Sequence, residues 1–211
     1  MAADLQRVFG DHFVALVATG LHDSVVFSSA IAPGDLEALG PLVDVWQRDS
    51  LEPPLLLTVG EFRRSLDVFP VEYQALIDRH EVIAGDPPFA QLQIDRANLR
   101  RACEVQAKSH LIHLRQGWME RVGHDDRLAA LIVRSAAPLR VLLSDVARLL
   151  VDAEDAGAFA GAAVAGLDVA LVREIVGLEQ APERATRLIE RLPDYLAMSE
   201  QLWGFVDTWA A

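Results

Sequence analysis

The sequence predicts an α+β fold, a small sheet-containing domain followed by an antiparallel helical bundle, and three observations carry that prediction. Over about the first 90 residues, short apolar runs rich in Val, Leu and Phe alternate with turn signals. From Ile94 onward the apolar residues recur every three or four positions, the period of a helix with one buried face. Hydrophobic residues make up 52% and charged residues 24%, which excludes a disordered chain and leaves enough apolar surface for more than one core. The boundary is placed near residue 93, giving units 1–92 and 93–211.

The elements follow in order. After a short N-terminal helix, His12 to Ala18 and Ser24 to Ala30 read as strands joined by the turn Thr19-Gly20-Leu21-His22-Asp23. Pro33-Gly34 closes the second strand, and Asp35 opens a helix with Leu36, Leu39, Val43 and Trp46 on one side. Pro53-Pro54 ends that region, and LLLTV, 55–59, is a third strand. The run from Glu61 to Phe69 and the run after Pro70 read as two short helices, Pro70 standing at a first helical position. EVIAG, 81–85, is a fourth, edge strand. Asp95 caps a long helix that ends at Gly123, and a second begins at His124, with a kink expected at Pro138. An Ala-rich connector punctuated by Gly161 and Gly166 leads to a short helix, 167–178, and a closing helix from Pro182, interrupted at Pro193.

Charge narrows the function classes. Thirty-one acidic against 19 basic residues give a formal charge of −12, and so acidic a surface repels phosphate backbones, so no nucleic-acid partner is expected. Cys103 is the only cysteine, which excludes an internal disulfide and suits a reducing cytoplasm. The start, MAADLQRVFGDHF, lacks the basic and apolar regions of a signal peptide, and the Ala-rich run is too short to span a bilayer, so no membrane association is expected. The sequence carries no P-loop, GxSxG, HExxH, CxxC or dinucleotide-binding glycine pattern, and no cofactor or metal is expected.

The stretches LTVGEFRRSLDVFPVEYQALIDRHEVIAGDPP and ANLRRACEVQAKSHLIHLRQGWME carry a resemblance. Through their SLDVFPxE and LRxxCE elements the chain resembles bacterial nucleotidyltransferase-fold proteins related to the kanamycin nucleotidyltransferases, over about residues 8–122 and more loosely the closing helix. The resemblance implies a mixed-sheet nucleotidyltransferase-like domain followed by a helical bundle. It also implies a Gly-Ser turn and short helix that cradle a triphosphate, an Asp-x-Asp pair for Mg²⁺, and a third carboxylate on a neighbouring strand. Here Leu21 stands in place of the Ser, and only Leu21 and His22 separate Gly20 from Asp23, where about ten residues are needed for the cradle. Asp23 takes the first acidic position, Val25 the second, and LLLTV offers no carboxylate. One carboxylate cannot organise two-metal phosphoryl transfer, so nucleotidyl transfer is not expected.

Other residues gain interest as the old site fades. Cys103, Gln106, Ala107, His110, His113, Leu114 and Gly117 fall along one stripe of the long helix. Its thiol, amide and imidazoles can bind a ligand or act as acid and base, with His110, His113 and Asp23 as the catalytic candidates. Equally, the stripe suits a half-buried helix interface with Cys103 as a small core residue, and Asp23 suits an ordinary hairpin turn. The spacing of His110 and His113 is compatible with a metal, but no third ligand stands nearby. Asp67 and Glu72, flanking Phe69-Pro70, are further ligand-binding candidates, although Glu72 also sits where a carboxylate complements a helix dipole. The expectation is a cytoplasmic, non-catalytic pseudo-nucleotidyltransferase that binds a small molecule or a protein partner and forms a homodimer. The alternative is a repurposed enzyme using Cys103, Gln106, His110 and His113 on a non-nucleotide substrate in an interdomain cleft.

Overall fold

Strands β1 (Phe13–Ala18) and β2 (Ser24–Ser28) pair antiparallel, with Leu16 opposite Val26. On its far side β2 pairs in parallel with β3 (Leu55–Thr58), and β4 (Glu81–Gly85) adds antiparallel to the free edge of β1. The order β3-β2-β1-β4 makes a mixed sheet, and its one parallel pair requires the crossover supplied by helix α2 (Pro33–Arg48). The computed structural model describes residues 1–19, 24–150 and 157–209, and it divides into two units, Met1–Asp95 and Arg96–Ala211. The α+β class read from the sequence is therefore the class observed, with one small mixed sheet and a predominance of helix.

Strand alternation sorts the core of the first unit. Leu16 and Val26 face Leu5 and Phe9 of α1 (Ala2–Phe9) and Leu39 and Trp46 of α2. Trp46 Nε1 donates to Asp4 Oδ2 at 3.0 Å, which holds the Asp4 carboxyl below its ordinary range. Phe27, next along β2, turns to the other face. There it meets Phe62 of α3 (Val59–Arg64) edge-on at 5.1 Å, and Phe62 meets Tyr73 of α4 (Pro70–Asp78) at 4.8 Å.

Two boundaries differ from the sequence reading for local reasons. Helix α2 starts at Pro33 rather than Asp35, because the Asp35 carboxylate accepts the Ala32 N–H at 2.7 Å and so lies inside the first turn. Strand β3 stops at Thr58, which with Glu61 forms a reciprocal cap: Glu61 N donates to Thr58 Oγ1 at 3.1 Å and Thr58 N to Glu61 Oε2 at 2.9 Å. Val59 therefore begins a helix.

In the second unit, α5 (Arg96–Arg121) and α6 (Asp125–Leu150) form an antiparallel hairpin. Arg96 reaches the Leu149 carbonyl at one end, and Leu131 packs on Gly117 near the other. Leu99, Cys103, Ala107, Leu111, Leu114 and Gly117 bury one face of α5 at helical spacing. Helix α9 (Leu192–Thr208) also runs antiparallel to α5: Arg100 donates to the Val206 carbonyl at 3.1 Å, and Arg115 pairs with Glu200. Helix α6 continues through Pro138.

The Ala-rich connector contains a helix, α7 (Ala158–Val164). Its Gly161 lies against α6 so closely that an added Cβ would sit 1.9 Å from the Leu143 carbonyl oxygen. The glycine that read as punctuation is thus a point of backbone contact. Helix α8 (Val169–Val176) leads through the 3-10 turn Gly177–Glu179 to a ten-residue 3-10 helix, Pro182–Arg191. The closing segment changes winding at Leu192, and Pro193 falls in the first turn of α9, where its missing N–H costs nothing.

Candidate functional site

Side chains of α5 and α6 line a cavity of about 710 Å³ that is open to solvent on one side. From α5, Gln106, Ser109, His110 and His113 line it, at the i, i+3, i+4, i+7 positions of one helical face. From α6 come Leu131, Arg134, Ser135, Pro138 and Leu142 at the same kind of spacing. All of its lining residues belong to the second unit, and its size lies within the range of small-molecule sites.

The polar groups are ordered by a relay that reaches α9. Ser135 Oγ donates to the Ile132 carbonyl at 2.8 Å, so its oxygen is free to accept. It accepts from Tyr195 Oη at 3.0 Å, and that bond uses the only phenolic proton. The remaining contact of Tyr195 Oη, 2.9 Å to His110 Nε2, must then have the imidazole as donor. His110 is thereby held as the Nε2–H tautomer, with its lone pair on Nδ1. Among the described residues Nδ1 has no hydrogen-bond partner. It is an acceptor open to a ligand.

Electrostatics reinforce that state. Burial first, and then the neighbouring His113, bring the His110 imidazole down from 6.5 to about 4. Its ring is neutral at pH 7. Burial likewise raises the Tyr195 phenol well above its ordinary value of 10.0, so it stays protonated. Pro138, on the α6 side, has no N–H to give the carbonyl four residues back, at Arg134.

The sequence-predicted residues separate into groups. Gln106, His110 and His113 come together at the cavity. Cys103, on the same stripe, does not reach it; it is fully buried, and desolvation, aided by Asp145, pushes its thiol up to about 12. A thiol so placed stays protonated and is neither nucleophile nor ligand. Asp67 and Glu72 belong to the first unit and are exposed, Asp67 in the turn after α3 and Glu72 in the first turn of α4, where it complements the helix dipole. Asp23, with Gly20, Leu21 and His22, lies outside the described residues. Val25 is buried in β2, and β3 carries no carboxylate. Sequence reasoning missed Ser135, Tyr195 and Pro138. Only Pro138 left a usable signal, a proline in the interior of a long helical pattern.

Among the described residues no cluster of three or more His, Cys, Asp or Glu is placed to hold a metal, and no helix is long and apolar enough to cross a membrane. Compared with known proteins, the chain matches no protein-family model, no curated protein and no solved structure.

Proposed function

We propose that this chain is a small-molecule-binding module whose site is the α5–α6 cavity, and that its first unit is a degenerate nucleotidyltransferase-like domain that performs no phosphoryl transfer. One observation supports the binding reading above the rest: the relay from Ser135 through Tyr195 leaves His110, which lines a largely apolar groove, with Nδ1 as an unpaired acceptor. Such a groove suits a mainly apolar molecule that offers an N–H or O–H. The degenerate-domain reading rests on the SLDVFPxE and LRxxCE elements and on the missing carboxylates at Val25 and along β3.

Binding is favoured over acid–base catalysis because an imidazole whose proton leaves near 4 is a weak base at neutral pH. A fluorescence titration with 2-phenylindole and its N-methyl analogue tests the reading. The N–H compound should bind the native chain at least about tenfold more tightly, the equivalent of one hydrogen bond of ~1.4 kcal/mol. In His110→Phe the two compounds should bind alike. Equal binding of both by the native chain, or binding of neither, overturns the proposal.

A second reading, self-association, has its own support. Ile112 and Met119 stand seven residues apart on α5, away from the cavity lining, and are 48% and 72% exposed. Light scattering tests it: a mass of twice 23.1 kDa that falls to the monomer in Ile112→Glu supports a homodimer, and a monomeric native chain discards it.

A further inference from the structure

A second cavity, of about 500 Å³, opens in the second unit between the end of α8 and the 3-10 helix. Four of its eight lining residues are arginines: Arg173, Arg184, Arg187 and Arg191, against the single carboxylate of Glu174. Arg191 is matched by neighbouring carboxylates, so the unmatched positive charge rests on Arg173, Arg184 and Arg187, in a chain that is −12 overall. We propose that this cavity binds a small molecule bearing two oxyanion groups, of the phosphate or carboxylate class.

The winding of the segment makes the case. A 3-10 helix repeats every three residues, so side chains at i and i+3 eclipse. This places Ala185 and Leu188 on the buried face and stacks Arg184 directly beneath Arg187. Two guanidinium groups held in that register repel each other. Neither has a hydrogen bond or ion pair among the described residues, although acidic side chains outnumber basic ones across the chain.

The neighbouring arginines are fixed instead. Arg191 is held by Asp168, Glu174 and Asp194 at 3.1–3.4 Å, and the Arg173 guanidinium lies 5.0 Å over the Phe159 ring. The site therefore has two partnered arginines and two uncommitted guanidinium forks, whose paired N–H groups match a carboxylate or phosphate edge. The floor is open: a Cβ built on Gly177 would meet nothing within 4 Å. A bound anion would screen the eclipsed pair and satisfy both forks.

Isothermal titration with sodium pyrophosphate and with citrate, at low ionic strength, tests this on the full chain. At least one should bind, and binding should weaken about tenfold or more in Arg184→Gln/Arg187→Gln, each lost charge-assisted contact being worth a sizeable fraction of that. Arg127→Gln, an exposed arginine of α6 that does not line the cavity, should bind as the native chain does. Preference for pyrophosphate or for citrate assigns the oxyanion class. No heat from either compound at about 10 mM, a concentration that reveals even weak sites, overturns the proposal. So does equal loss in Arg127→Gln, which would mark general charge attraction. Arg184 and Arg187 are exposed, and an unchanged thermal transition shows that their substitution leaves the fold intact.

Discussion

Replacing His110 by Gln separates the proton the imidazole can bind from the hydrogen bond it makes. A Gln side-chain amide can still donate to Tyr195 Oη, as His110 Nε2 does at 2.9 Å, but it cannot be protonated near neutral pH. In the folded chain the imidazole titrates near about 4, against 6.5 when unperturbed. The folded value lies below the unfolded one, so between them the unfolded chain binds more protons and acid favours unfolding. Above 6.5 both states are neutral and the residue contributes no pH dependence. As pH falls below 6.5 stability is lost, by about 2 kcal/mol at pH 5 and about 3 kcal/mol once pH passes 4, at ~1.4 kcal/mol per tenfold step. Carboxylates titrate in the same range, but they do so equally in His110→Gln. Urea unfolding of both proteins at pH 7 and pH 5 therefore isolates the imidazole: the native chain should lose about 2 kcal/mol more than the variant. Parallel losses, within about 0.5 kcal/mol, would refute the buried neutral imidazole.

Three further outcomes follow from the same packing. Tyr195→Phe strips partners from His110 Nε2 and Ser135 Oγ together and should lower unfolding stability by ~1–3 kcal/mol, read by urea denaturation. Gly161→Ala drives a methyl toward the Leu143 carbonyl oxygen, 1.9 Å away, and should cost about 3 kcal/mol or more in the same assay, whereas Gly177→Ala, with open space before it, should cost less than about 1 kcal/mol. Cys103 should resist a thiol reagent at pH 8 in the native chain and react once urea unfolds it; rapid native labelling would contradict its burial and raised pKa.

What was legible in the sequence was what local periodicity encodes. Alternating Val and Phe marked β1 and β2, the spacing of Cys103, Ala107 and Leu114 marked the inner face of α5, and Pro70 marked the start of α4. Helix α7 was missed because its alanines and Gly161 lack an apolar–polar rhythm; its place is set by contact with the α6 backbone. The 3-10 winding of Pro182–Arg191 was also hidden, since its buried residues Ala185 and Leu188 stand three apart, a spacing that an α-helical face accommodates equally well. The candidate site was half legible. Gln106, His110 and His113 share a helical face that spacing alone predicts. Cys103 belongs to the buried edge of that stripe, a difference of about one helical position that separates cavity from core. Tyr195 and Ser135 lie 85 and 60 residues from the partners that define their roles, and no local pattern announces such pairs.

The central claim is that His110 Nδ1 accepts a hydrogen bond from a small molecule seated between α5 and α6. A crystal structure of the chain with 2-phenylindole tests it most directly. The account predicts the ligand inside the α5–α6 cavity, its indole N–H at about 3 Å from His110 Nδ1 while Nε2 remains on Tyr195. A ligand bound elsewhere, or a His110 ring turned so that Nδ1 faces Tyr195, would contradict it.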